Sequence, residues 1–485
     1  MPRARRSSAA RAIVHWEPAS AVRMAATDAL FWYAESAAPT FRPIIAGLYL
    51  LDRPPIRERI EAGVEVAGAL VPRLRQRVVE APFGLGLPEW VEDPHFDITY
   101  HLRHVSLPAP GTQRELLDLV GALFATPLDR SRPLWEATWI DGLEGGGSAF
   151  LFKMHHSLVD GVGSIAILEA LTSAEPDAPQ PRVVRARRRP AEPEPSAFQR
   201  VASLAAEQAQ GAAALAGRAF GTLAHPAESF ETATRAARGL RAMLADASRP
   251  LVRDPLAVPG SGLSRRLDVA EVPLDRLRKI KSALDVSIND VVLAALTGAL
   301  HAYHRERRVH ADELVCMVPM NLRGRDERDA LGNRVGMFNV LLPVGEARAA
   351  RRVARITEQT RAAKADRRGA AAPLLVELIT MLPGAVLRTL SRGAIGRVNG
   401  ACTNVPGVKH ERWMAGARIA SIYPFASVVE GTPLVMALLS YAGSLRIGID
   451  TDPEAIPDPH RISELFEAAL AEFEALASQP AAAAG

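Results

Sequence analysis

The sequence predicts an α/β (α+β) fold built in two domains, and three observations carry that expectation. At 485 residues the chain is too long for one ordinary core, so two units of roughly 200 residues each are expected. Strand-like apolar or alternating runs are interleaved with helix-period runs along most of the chain, the pattern of sheets flanked by helices. A proline-rich stretch at 174–196, carrying the run Arg185-Ala186-Arg187-Arg188-Arg189, interrupts that alternation. It reads as an extended or disordered linker.

The boundaries follow: a basic, disordered tail at 1–23, a first domain at 24–175, linker plus Ala-rich bridging helices at 176–260, a second domain at 261–478, and a flexible end at 479–485. The tail holds five arginines against Glu17, which accounts for the whole net charge of +4. The remainder is balanced, so no nucleic-acid face follows. The tail has no apolar h-region of a secretory signal. Cys316 and Cys402 cannot build a disulfide framework, and a reducing, cytoplasmic setting is expected. No run approaches the ~18 apolar residues of a membrane span.

Met24 to Glu35 reads as a helix with Thr27 or Asp28 as N-cap. Ile44 to Leu51 is an apolar strand, Arg57 to Leu70 an amphipathic helix, and 72–79 a half-exposed strand. Trp90 to His104 is rich in His and Asp, but His101 and His104 lack a second ligand pair, so no metal site is expected. A helix follows over Gln113 to Phe124. Pro127 to Glu136 is a rigid loop anchored by Leu134 and Trp135, and Trp135 to Ile140 is a strand.

The chain is organised around 147–172. Ala149 to His155 is strand-like, and Val162, Ile165, Leu168 and Leu171 recur at helical spacing. Between them lie His155, His156, Asp160 and Gly161. A neutral imidazole here can take a proton from an alcohol and return it to a leaving group. Asp160 suits a helix N-terminus or can turn away to hold an arginine. Gly161 permits a tight approach.

In the second half, Leu277 to Asp285 is helical. Ser287 caps a helix running to Leu300 with Asn289 and Asp290 in its first turn. Leu314 to Met320 is a strand, Leu331 to Pro343 a loop then strand, and Arg348 to Lys364 a basic amphipathic helix. Pro373 to Arg392 is strongly apolar: a core helix by default, a membrane-surface helix as the alternative. Thr403 to Gly407 is a polar turn at a strand end. Pro433 to Asp450 is a hairpin, and Pro459 to Ala477 the closing helix.

His155-His156-x-x-x-Asp160-Gly161 resembles the HHxxxDG signature of the superfamily that includes chloramphenicol acetyltransferase and peptide-synthetase condensation domains. The opening at Met24, Pro133-Leu134-Trp135, Asn289-Asp290, Leu331-Gly332-Asn333 and Thr403-Asn404-Val405-Pro406-Gly407 resemble motifs of the bacterial wax ester synthase/diacylglycerol acyltransferase family. The resemblance spans Met24 to Asp450 outside the linker. It implies two chloramphenicol-acetyltransferase-like domains with a tunnel between them. His156 would be the general base, with His155 packing or hydrogen-bonding beside it. Arg323 would pair with Asp160, the charge pair that an inward aspartate needs. Asn289 would orient groups in the tunnel, while Asp290 serves the helix end. Pro133, Leu134 and Trp135 are either structural or substrate-positioning. Thr403, with Asn404 beside it, is a candidate donor to the developing oxyanion.

The activity so implied is transfer of a fatty acyl group from acyl-CoA, a co-substrate, to diacylglycerol, or to a long-chain fatty alcohol as the alternative acceptor. No cofactor is expected, and contact with a membrane or lipid droplet would be peripheral. A condensation-type amide-forming enzyme and a non-catalytic lipid-binding protein are the distant alternatives. The sequence has no GxSxG elbow, Walker A loop or GxGxxG fingerprint, which disfavours serine hydrolases and nucleotide-binding enzymes.

Overall fold

The computed structural model describes residues 13–16, 21–37, 41–81, 86–158, 161–179, 181–185, 252–258, 263–321, 335–367, 398–427 and 432–478. The first half runs β1 (Ile13–Trp16), β2 (Val22–Arg23), α1 (Ala26–Ala37), β3 (Ile44–Leu51), α2 (Arg57–Leu70), β4 (Gln76–Val79) and β5 (Glu89–Glu92). It continues through α3 (Ile98–His101), β6 (Leu102–Ser106), α4 (Gln113–Ala125), β7 (Trp135–Asp141), β8 (Ser148–His155), α5 (Gly161–Leu171) and β9 (Arg182–Arg185). The second half begins with β10 (Arg266–Pro273), α6 (Leu274–Leu284), α7 (Ile288–Glu306), β11 (Leu314–Asn321), β12 (Val335–Leu342) and α8 (Ala349–Arg367). It ends with β13 (Gly400–Val405), β14 (Trp413–Met414), β15 (Ala417–Ala426), β16 (Leu434–Tyr441), β17 (Ser444–Thr451) and α9 (Pro459–Ala477).

Two six-stranded mixed sheets organise these elements, in the orders β14-β15-β3-β8-β7-β6 and β10-β17-β16-β13-β11-β12. In the first, β8 is central, antiparallel to β3 and to β7, with Ile44 opposite His155 and Trp135 opposite Met154. Each of its eight residues is buried. Period-two alternation sends Phe150, Phe152 and Met154 into one core cluster and Ala149 and Leu151 into the other. The strand carrying the histidines is therefore fixed from both faces.

The second sheet packs against α6, α7 and α9 around Val291, Leu296, Ile447, Phe466 and Phe473. α7 starts at a capping box: Ser287 Oγ accepts from Asp290 N at 3.2 Å, and Asp290 Oδ2 accepts from Ser287 N at 2.8 Å.

The halves are not separate bodies. β15, from the second half, pairs antiparallel with β3 of the first, Ala426 opposite Ile45 and Ile422 opposite Tyr49. Pro424 sits inside β15 without breaking a ladder, because β14 pairs only with Ala417 and Arg418 and makes no ladder bond at residue 424. Gly448 of β17 lets this strand pass. A Cβ there would lie 1.8 Å from the Pro424 carbonyl oxygen.

Three expectations are corrected. The 1–23 tail is not wholly disordered, since β1 pairs in parallel with β9 and β2 pairs with β5. Within the linker, β9 is extended chain, one of the two forms expected there. Residues 72–79 are not one strand: Pro72–Arg75 is a 3-10 turn with proline at its start, where no N–H is needed. Thr27 and Asp28 are not N-caps but lie within the first turn of α1. The expected helices at 198–244 and 373–392 lie outside the described residues, as do Asp160, Arg323 and Leu331-Gly332-Asn333.

Candidate active site

β8 delivers His155 as its last residue, and the chain turns there: Leu158 N donates to His155 O at 3.0 Å. The backbone on both sides of the pair is anchored. His155 N donates to Leu134 O at 3.0 Å and His156 N to Pro43 O at 2.7 Å. Gly161 then opens α5. The far end of α5 is capped from the second half: Arg412 Nε donates to Thr172 Oγ1 at 2.9 Å and Nη2 to the Thr172 carbonyl at 3.0 Å.

The two imidazoles have different surroundings. His155 is 1% exposed. Its Nδ1 accepts from Ser157 N at 3.1 Å and lies 2.6 Å from Ser157 Oγ. Burial pushes its pKa below the ordinary value, against the opposing pull of Glu35. A neutral ring accepting at Nδ1 carries its hydrogen on Nε2, which faces Glu35 Oε2 at 3.7 Å. His156 is half-buried, and its ring stacks on Phe31 at 4.1 Å between centroids and 17° between planes.

Helix α1 supplies most of what surrounds the pair. Asp28, Phe31, Trp32 and Glu35 recur at i, i+3, i+4 and i+7, so they share one face. Trp32 meets His155 edge-on at 6.1 Å. Asp28, 2% exposed, pairs with Arg73, whose Nη1 lies 3.3 Å from Asp28 Oδ2. The same nitrogen donates to Leu158 O at 3.0 Å and Ser157 O at 3.5 Å. One guanidinium thus clamps the two carbonyls that follow the histidines. Glu35 is 7% exposed and lies 3.3 Å from Arg130 Nη1. Burial raises its carboxyl, but His155, Arg130 and Arg42 together outweigh burial and hold it below the usual range.

The proline-leucine-tryptophan triplet lies beneath the histidine strand. Leu134 and Trp135 are fully buried, and Trp135 stacks on Phe152 at 5.4 Å and on His101 at 4.5 Å. Its Nε1 donates to Leu74 O at 2.8 Å. Of the two readings given for Leu134 and Trp135, this burial fits the structural one. Buried Pro133 precedes them, and the triplet's tie to the site is the Leu134 carbonyl on His155 N. His101 is buried in that stack while His104 pairs with Asp141 on the exposed side, so the two do not converge on one point.

Asn289 and Asn404 meet: Asn404 Nδ2 donates to Asn289 Oδ1 at 2.7 Å. Asp290 instead closes the helix cap and accepts from Thr360 Oγ1 at 2.6 Å. Thr403 lies in β13 opposite Ala437 and is half-buried. Among the described contacts none joins Thr403 or the asparagine pair to His156. Cys316 and Cys402 are buried, and burial pushes both thiols up, Cys402 to about 12. Neither is a thiolate nucleophile near neutral pH.

Sequence reasoning missed Phe31, Glu35, Arg73 and Arg130. The available signal was acidic residues seven apart on the inward face of an apolar helix, where a carboxylate needs a partner.

Two family models match the chain. The wax ester synthase/diacylglycerol acyltransferase catalytic domain covers residues 24–292, and the WS/DGAT C-terminal domain covers 331–474. A relative from Mycobacterium tuberculosis H37Rv, carrying a provisional diacylglycerol O-acyltransferase name, is 32% identical over 456 residues, 91% of this chain and 90% of the relative. Among solved structures, the wax ester synthase/diacylglycerol acyltransferase of Marinobacter aquaeolei VT8 superposes with a TM-score of 0.61 at 24% identity, over 94% of this chain and 100% of that one. The first condensation domain of a calcium-dependent antibiotic synthetase superposes at 0.56 with 19% identity, over 96% and 98%. These two likenesses establish the two-domain chloramphenicol-acetyltransferase-like fold. With both family models matched and the histidine pair set in that fold, the chain belongs to the wax ester synthase/diacylglycerol acyltransferase family of acyl-CoA O-acyltransferases.

Proposed function

We propose that the protein transfers a fatty acyl group from acyl-CoA to the hydroxyl of diacylglycerol, forming triacylglycerol, with His156 as general base. The observation that carries this reading is the asymmetry of the pair. His155 is sealed in the core, whereas His156 is half-buried at the end of a rigid strand with its ring against Phe31. In the step proposed, His156 takes the hydroxyl proton and the oxygen attacks the thioester carbonyl. The C–S bond breaks, and the proton passes to the CoA sulfur. Acyl group and acceptor are bound together, without an acyl-enzyme.

Diacylglycerol is favoured by the name of the mycobacterial relative. A fatty alcohol is the second reading, favoured by the family's wax ester synthase description. We place the reaction in the cytoplasm, with peripheral contact at a lipid surface, because the acceptors are water-insoluble. No single described helix is long and apolar enough to cross a membrane.

The test is an acceptor competition with labelled palmitoyl-CoA and equal amounts of diacylglycerol and hexadecanol, the products being separated by lipid chromatography. Triacylglycerol is expected as the main product. Wax ester as the main product would overturn the diacylglycerol assignment in favour of the second reading.

A further inference from the structure

Glu35 is a carboxylate 7% exposed in the core, and the mechanism above does not use it. Its surroundings keep it ionised: Arg130 Nη1 at 3.3 Å, with the Arg130 guanidinium in turn 3.5 Å over the Trp32 ring. The same oxygen, Oε2, faces His155 Nε2 at 3.7 Å. On the other side of that imidazole, Nδ1 receives the Ser157 N–H and lies beside the Ser157 hydroxyl. Ser157 immediately follows His156, so the His155 ring closes the turn on which His156 stands.

This closure works with only one tautomer. If Nδ1 bore the hydrogen, it would donate to the Ser157 hydroxyl 2.6 Å away, and the Ser157 N–H would lose its acceptor. Which nitrogen of a histidine is protonated is decided by the partner of the other one. A carboxylate oxygen 3.7 Å from Nε2, longer than a made hydrogen bond, gives a hydrogen there an acceptor to point at and leaves Nδ1 free to accept.

We propose that Glu35 sets the Nε2–H tautomer of His155 and is thereby a positioning residue for His156. Arg130 holds Glu35, Glu35 fixes the His155 tautomer, and His155 Nδ1 binds the Ser157 amide that fixes the following turn. The assignment rests on His156 as the base, but its main readout needs no turnover.

The test uses the full chain labelled with 15N-histidine, the His155 signal being identified by its loss in His155→Gln. At neutral pH the wild-type signal should be that of an Nε2–H tautomer; an Nδ1–H signal overturns the proposal whatever any variant does. Glu35→Met, which keeps length but removes the acceptor, should shift His155 toward Nδ1–H. It should also lower kcat by about 10²-fold, less than the ~10⁴-fold of a tautomer error at a base's direct partner, with KM within about twofold. Glu35→Gln, whose amide oxygen can replace Oε2, should keep the tautomer and lose only a few-fold in kcat. If Glu35→Met does not fold, the wild-type signal and Glu35→Gln still decide. A Gln variant that keeps the tautomer yet loses about 10²-fold would mean that only charge matters, and would overturn the proposal. So would a folded Met variant with unchanged tautomer and rate. A His156→Ala enzyme with full activity would refute the base assignment while leaving the tautomer result standing.

Discussion

His156→Ala should lower kcat by about 10³-fold, the scale expected when a positioned general base is removed. The variant should remain folded. The backbone bond from residue 156 to Pro43 O does not involve the ring, and the flanking strand is held by Leu134 O and by both core clusters. Loss of the stack on Phe31 should cost no more than about 1 kcal/mol. KM for acyl-CoA should change little, since the imidazole moves a proton between the acceptor hydroxyl and the leaving sulfur during the step and is not what holds acyl-CoA in the ground state. The measurement is CoA-thiol release with diacylglycerol present, paired with a thermal melt. A folded variant of wild-type activity would remove His156 from the mechanism.

Arg73→Met should cost about 2 kcal/mol of stability, below the range for a fully buried ion pair, because Asp28 is buried but the Arg73 side chain is 31% exposed. Asp28 at 2% exposure would lose its guanidinium, and the Ser157 and Leu158 carbonyls would lose their shared donor. The stem of methionine retains apolar volume near Trp90, over which the guanidinium sits at 5.2 Å. The stability loss is therefore electrostatic in origin. Activity should fall as well, because the clamped carbonyls lie one and two residues beyond His156. Denaturant unfolding and steady-state kinetics measure both effects. Unchanged values of both would show that the motif loop does not depend on this clamp.

Elements whose local pattern agrees with their packing were legible in the sequence: β3 at Ile44–Leu51, α2 at Arg57–Leu70 and α9 at Pro459–Ala477 stand as their periodicity predicts. The start of α7 was legible because Ser287 and Asp290 form a purely local cap. β15 was not expected. Its proline argues against a strand, and its place in the first sheet depends on β3, some 370 residues earlier in the chain. The site was legible only where one segment holds it. His155 and His156 could be read as chemistry from a single stretch. Glu35, Arg73 and Arg130 reach that stretch through packing between distant segments, so spacing alone could not pair them with it. Trp135 illustrates the converse: a motif residue whose role the sequence left open between structural and substrate-positioning lies wholly in the core, beneath the strand it supports.

Direct transfer within a ternary complex is the central claim, and a rapid-quench experiment tests it most directly. Protein would be mixed with stoichiometric labelled palmitoyl-CoA without acceptor, quenched on the millisecond scale, denatured, and assayed for protein-bound label and free CoA. The account predicts no burst of CoA and no label on the chain, with release beginning only when diacylglycerol is added. A burst equal to the enzyme concentration, with the acyl group bound covalently to the protein, would contradict it.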